Sequence, residues 1–205
     1  MIVFIEGPRH SGKTHLLEKF FEQNQDPNIV YYKFKFAKYI DELGMRDQES
    51  GPGVHYFSIA NILTILELNL TLLKDKVIVF DRAIFSAYVW SIYRDRLDRE
   101  RLMQEFSKIL DSDLYQDCGL IYLTRGVELD PEKREKDYFG NFEDYDAEKK
   151  LFDLAINSNI NSIVNLERRN LYSRFENDFD EASVEGFKEI LLDLVGINKG
   201  LSSNK

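Results

Sequence analysis

The eight residues GPRHSGKT, positions 7–14, constrain what this chain can fold into more than any other stretch. They match the pattern G-x-x-x-x-G-K-[ST] in full, with Gly7, Gly12, Lys13 and Thr14 at the fixed positions, and therefore read as a phosphate-binding loop. Gly7 and Gly12 let the backbone turn so that its N–H groups point inward at the start of the next helix, where the dipole also favours an anion. Pro8, Arg9, His10 and Ser11 fill the turn between them. Lys13 is placed to reach the β- and γ-phosphates, and Thr14 offers a hydroxyl to Mg²⁺, an ion that takes few protein ligands and completes its shell with phosphate oxygens and water. The flanks agree with the motif. Ile2, Val3, Phe4 and Ile5 form the short apolar run of a buried strand, and Leu16, Leu17, Phe20 and Phe21 share one helical face.

Further along, IVYYKFKF (29–36) alternates, with Val30, Tyr32, Phe34 and Phe36 on one side and Tyr31, Lys33 and Lys35 on the other, which predicts a half-exposed edge strand. Residues 44–53 are polar and rich in Gly and Pro and read as a flexible loop. Residues 54–73 predict a long buried helix, because Ser58, Asn61, Thr64, Glu67 and Thr71 interrupt its apolar run at every third or fourth position; that pattern argues against a membrane span. VIVFDR then gives a central strand ending in Asp81 and Arg82. Two helices follow, one carrying Ile84, Phe85, Tyr88 and Ile92 and the other Leu102, Met103, Phe106, Ile109 and Leu110. Residues 119–124 are a fourth strand. The segment 125–145 is dense in charge and poor in aliphatics, as a mobile surface element is. A helix is predicted through Ala147, Leu151, Leu154 and Ala155 to about Val164, NLYSRFEN (170–177) is a fifth strand, and Val184, Phe187, Leu191, Leu194 and Val195 mark a closing helix. Residues 196–205 read as a frayed tail.

Composition narrows the function. A net charge of −9 over 205 residues argues against a broad nucleic-acid-binding surface. The arginines at 94, 96, 99 and 101 alternate with acids, which makes a solvated face and not a phosphate track. The lone Cys118 allows no intramolecular disulfide, and the apolar start is too short for a secretory core, so the expected location is cytoplasmic. His10, His15 and His55 show no zinc spacing.

Strands alternating with helices imply a three-layer α/β/α fold around a five-stranded parallel sheet, expected in the order 2-3-1-4-5, with ligand bound beyond the carboxyl ends of the strands. Gly7, Asp81 and Thr124 all sit at such ends and should converge. There Asp81 can hold Mg²⁺ directly or through water and orient an acceptor hydroxyl; the alternative is an acid that merely caps the next helix.

Together, GPRHSGKT, DRAIFSAYVW after the third strand, the charged segment near Arg134 and FENDF after the fifth strand resemble the thymidylate kinase and deoxynucleoside kinase group. The resemblance covers nearly the whole chain in order, and the phosphate loop is its one highly specific motif. It implies an ATP- and Mg²⁺-dependent kinase domain over residues 1–195, with a lid at about 125–145. It further implies that Asp81 is the metal-linked carboxylate, that Arg82 holds acceptor or phosphoryl oxygens, and that Ser86 belongs to the acceptor side with Arg9; apart from the resemblance, the aromatic-rich helix around Phe57 and the segment from Phe85 to Trp90 offer an acceptor pocket. Arg134, with Lys133 and Lys136, is implied as the lid cation, although these alternate with Glu132, Glu135 and Asp137 and read equally as a solvated run. Asn177 and Phe179 are implied to border adenine. The chain departs from the group in carrying Arg9 and His10 where thymidylate kinases tend to have a sugar-binding acid, and in offering only Asp41 and Glu42 where relatives place Glu-Pro. Both departures lie on the acceptor side. The expected acceptor is a nucleoside or nucleoside monophosphate; a polynucleotide end, a modified base, or a nucleotide-binding switch that transfers nothing remain the alternatives, and a homodimer stays open.

Overall fold

The computed structural model describes residues 1–33, 76–94, 99–111, 115, 118–128 and 145–201. Its sheet has five parallel strands in the order β2-β3-β1-β4-β5, as the sequence predicts. They are β1 (Ile2–Glu6), β2 (Ile29–Lys33), β3 (Val77–Asp81), β4 (Cys118–Arg125) and β5 (Tyr172–Asn177). The described helices are α1 (Lys13–Gln23), α2 (Ile84–Arg94), α3 (Arg99–Leu110), α4 (Tyr145–Ser158), α5 (Ile160–Arg168) and α6 (Glu181–Leu201).

Why the central strands are apolar throughout is clear from what covers them. Every residue of β1 and β3 is buried, since helices pack on both faces of the sheet. Phe4, Phe80, Leu120 and Tyr122 point to one side, where α2 supplies Phe85 and Tyr88, α3 Phe106 and Leu110, α4 Phe152 and α5 Ile163. Val3, Ile5, Val79, Ile121 and Leu123 point to the other, against Leu16, Leu17 and Phe20 of α1 and Phe187 and Leu191 of α6. Each such side chain contributes roughly 1.5–3 kcal/mol by leaving water. Aromatic stacking adds shape to the first layer, with Phe4 on Tyr115 at 5.2 Å and Tyr88 on Phe106 at 4.2 Å.

Register then brings the strand ends together. Ile5 lies opposite Asp81 and Glu6 opposite Tyr122, so the chain leaves β1 for the phosphate loop at the level where β3 ends in its carboxylate.

Three boundaries differ from the sequence reading. The helix predicted through residues 147–164 is two helices, because Asn159 turns its amide back to the Ala155 carbonyl at 2.7 Å and takes the Ser107 hydroxyl at 2.6 Å. An asparagine that bonds its own backbone competes with the helix ladder. The fifth strand starts at Tyr172 and not at residue 170, since Asn170 sits in a left-handed turn at φ 54° and Leu171 N–H returns to the Leu166 carbonyl. The closing helix continues through Gly196 to Leu201, where a frayed tail was expected; one helical glycine costs only about 1 kcal/mol and no proline follows to stop the helix. Residues 34–36 of the predicted second strand, the predicted 54–73 helix and residues 129–144 of the predicted lid lie outside the described residues. No helix of the described residues is long and apolar enough to cross a membrane.

Candidate active site

The turn that follows β1 is held open by its glycines. Gly7 has φ 142°, and a Cβ there would stand 2.0 Å from the Leu123 carbonyl oxygen, so only glycine lets the loop pass the end of β4. Gly12 has φ 87° and caps α1 without a side-chain hydrogen bond, and the first turn of α1 carries no acid. The helix therefore offers its N–H groups and positive end to an outside anion. These backbone demands give a measurable contrast. Gly7→Ala is expected to cost about 3 kcal/mol or more and to lower the melting temperature by roughly 10 °C. Gly196→Ala, with nothing within 4 Å of its Cβ position in the interior of α6, is expected to raise it slightly. Thermal melts of the two variants beside the parent check both signs.

Lys13 folds back beneath the loop, 4% exposed, where its ammonium donates to the Pro8 carbonyl and, at 2.9 Å, to the Ser11 hydroxyl. Burial, followed by the charge of Arg82, brings its pKa down to about 7. Ser11 Oγ also donates to the Pro8 carbonyl at 2.9 Å, and Asn177 Nδ2 donates to the Ser11 carbonyl at 3.0 Å, so the end of β5 braces the loop. Asn177 Oδ1 in turn accepts the Phe179 N–H at 2.9 Å.

At the end of β3, Thr14 Oγ1 donates to Asp81 Oδ2 at 2.6 Å and Tyr31 OH donates to the same oxygen at 3.2 Å. Tyr31 is set for this by stacking on Phe21 at 5.2 Å. Burial and the Asp81 charge push its phenol well above the usual tyrosine range. Asp81 Oδ1 is buried and has no hydrogen-bond partner among the described residues. Arg82, half-buried, adopts φ 72°, and its N–H reaches the Ile5 carbonyl at 3.1 Å.

The other predicted residues divide. Arg9 is drawn to Glu148 of α4, whose Oε2 accepts its N–H at 2.8 Å and its Nε–H at 3.3 Å. His10 takes φ 59°, and its carbonyl accepts Arg125 Nη1 at 3.1 Å. The same guanidinium lies 4.5 Å over the ring of Phe179, which is 42% exposed at φ 64°. Ser86 is buried, its hydroxyl given to Glu6 at 2.6 Å. Contacts thus link Pro8, Ser11, Lys13, Asn177 and Phe179 around the loop and Thr14 to Asp81 at the end of β3, with Arg82 next along the chain, while Arg134, Lys133, Lys136 and Phe57 lie outside the described residues.

Four residues of the site escaped the sequence reading. Glu6 was visible as the one acid in an apolar strand, directly before the loop. Arg125 follows Thr124 at a strand end, the same cue that marked Asp81. Tyr31 was placed on a strand but given no partner. Glu148 had no cue, because it meets Arg9 across 139 residues. Among the described residues no group of three or more His, Cys, Asp or Glu side chains is arranged to hold a metal alone.

No family model matches the sequence, and no curated protein matches it. Solved structures do match the fold. Thymidylate kinase from Candida albicans aligns with a TM-score of 0.59 at 16% identity, over 97% of this chain and 92% of its own. The chain has a P-loop kinase fold. NadR protein in complex with NR aligns at 0.61 and 13% identity over 95% of this chain, which spans 50% of NadR. YorR protein in complex with phosphorylated GDP, from Bacillus subtilis, aligns at 0.52 and 16% identity over 98% of both chains.

Proposed function

We propose that this chain is an ATP- and Mg²⁺-dependent phosphotransferase acting on a nucleoside or nucleoside monophosphate. The observation that carries the reading is the meeting of Thr14 and Asp81 at 2.6 Å beside the uncapped start of α1. The residues fit Mg²⁺, because the buried Asp81 Oδ1 lacks a partner among the described residues and the Thr14 hydroxyl lies against the same carboxylate. When bound, the ion would neutralise charge on the phosphates.

The chain's own groups supply the rest. The N–H groups at the start of α1 bind phosphate oxygens, and Lys13 exchanges the Pro8 carbonyl for them. Phe179 and the Arg125 guanidinium form a flat face against which a base can stack. Arg82 is assigned to the acceptor or transferring oxygens, where bidentate binding suits a guanidinium. Arg9, fixed by Glu148, lies on the acceptor side, and Arg134 is assigned as the lid cation of the 125–145 segment. The neighbours' own names, which speak of thymidylate kinase, NR and phosphorylated GDP, support nucleotide chemistry. Neutralising a polymer would demand several unopposed cations, against a net charge of −9.

Transfer from γ-labelled ATP to a panel of nucleosides, nucleoside monophosphates and DNA and RNA ends tests this. Labelling of a monomeric acceptor is expected. Labelling of polymers alone would replace the small acceptor with a polynucleotide, and slow ATP hydrolysis with no acceptor labelled would make the chain a nucleotide-binding module.

Nucleotide binding should also take up a proton above pH 7. In the folded chain Lys13 has a pKa of about 7, so at pH 8 it is mostly neutral, and phosphate oxygens at Nζ would pull it back toward 10.5. Calorimetry at pH 8 in two buffers of different ionisation enthalpy is expected to show net uptake. Identical heats in both would place the phosphates away from Lys13.

A further inference from the structure

We infer that Glu6 is a positioning residue: its carboxylate fixes the backbone at Arg82 and so sets where the Arg82 guanidinium stands relative to Lys13 of the phosphate loop. The inference rests on the phosphotransferase reading only for the role of Arg82; the geometry stands by itself.

Glu6 is the last residue of β1, 1% exposed, and among the described residues its carboxylate bonds to Ala83, Phe85 and Ser86 at the start of α2. Oε1 accepts the N–H groups of Ala83 at 2.8 Å and Phe85 at 3.0 Å, and Oε2 accepts the Ser86 N–H at 3.2 Å and the Ser86 hydroxyl at 2.6 Å. Four donors converge on two oxygens, so an anion is the species that fits, and the helix dipole favours it further. Such a carboxylate has no face left for a substrate. It acts through what it holds.

What it holds is Arg82. A non-glycine residue at φ 72° is strained and persists only where its neighbours over-determine it. Consecutive residues of β1 do this from both sides, since the Ile5 carbonyl accepts the Arg82 N–H and the Glu6 carboxylate accepts the Ala83 N–H that follows. The strand that launches the phosphate loop thereby also sets the direction in which Arg82 leaves β3. The Glu6 charge lies within reach of both Arg82 and Lys13 and offsets the repulsion between these two cations. Burial raises the Glu6 carboxyl to about 7 against the pull of the Ser86 hydroxyl, the Arg82 charge and the Ala83 N–H, so the tests belong at pH 8.

Glu6→Gln keeps the shape but puts an NH₂ where two donors point. In variant protein shown to be folded by its thermal melt, kcat is expected to fall about tenfold or more while nucleotide affinity stays within about threefold, because the loop amides and Lys13 are untouched. In an Arg82→Ala background the same change should cost less than about threefold, as residues acting through one another are non-additive. Equal costs in both backgrounds would mean a merely structural role and overturn the inference. Should Glu6→Gln fail to fold, Ser86→Ala removes one donor and leaves the carboxylate; a smaller loss of kcat, again suppressed by Arg82→Ala, is expected, and additivity overturns the claim. A crystal structure of whichever variant folds reads the geometry without any activity. Arg82 is expected to leave the left-handed region or to shift its guanidinium relative to Lys13, and an Arg82 unchanged in both respects refutes the role even if the parent protein transfers no phosphate, an outcome that would count against the phosphotransferase reading alone.

Discussion

Replacing Lys13 with alanine is expected to lower turnover about a hundredfold or more with the fold intact. The transferring phosphoryl group asks for positioning and charge neutralisation and little covalent help, so one preorganised cation at its oxygens is worth on the order of 3 kcal/mol in the transition state. Stability should barely suffer. The ammonium is buried at a site that disfavours its charge, so alanine removes an unfavourable burial together with two hydrogen bonds. The loop keeps its shape through Ser11, which still ties to Pro8 and is still held by Asn177. Single-turnover transfer from labelled ATP, read beside a thermal melt, separates the two effects. Near-parental turnover would remove the phosphate loop from the chemistry.

The order of the strands was legible because the constraint is local and repeated. A phosphate loop fixes β1 and α1, VIVFD is apolar at every position and so must be central, and IVYYK alternates and so lies at an edge. Convergence of Thr14 with Asp81 follows from parallel strands ending together. Contacts set by long-range packing were not legible. Nothing in the sequence around Glu148 announces a carboxylate buried against Arg9. Ser86 was read from the resemblance as part of the acceptor side, whereas its hydroxyl is given to Glu6. Asn159 shows the same limit in the fold, since whether an asparagine breaks a helix depends on the Ser107 hydroxyl that meets it from α3.

Asp81→Asn is expected to lower kcat about a hundredfold or more while ATP affinity changes by less than about fivefold. The two carboxylate oxygens do different work, and asparagine separates them. Oδ2 accepts from Thr14 and Tyr31, and a neutral amide oxygen in the same place can still accept from both, so the bridge between β3, α1 and β2 survives. At the position of Oδ1 the amide presents an NH₂, which cannot ligate a cation and repels one. Phosphate binding by the α1 amides and Lys13 continues, although Lys13 loses a neighbouring negative charge that favours its protonated form. Metal placement and acceptor orientation are lost, and these matter to the transition state more than to the bound nucleotide. Measuring kcat, nucleotide affinity and melting temperature on one preparation distinguishes this from the alternative in which Asp81 serves only the fold. In that case the melting temperature falls, the folded fraction keeps its kcat, and raising the Mg²⁺ concentration restores nothing. A variant that keeps its melting temperature, binds ATP and regains part of its turnover at high Mg²⁺ would instead assign Asp81 to the ion.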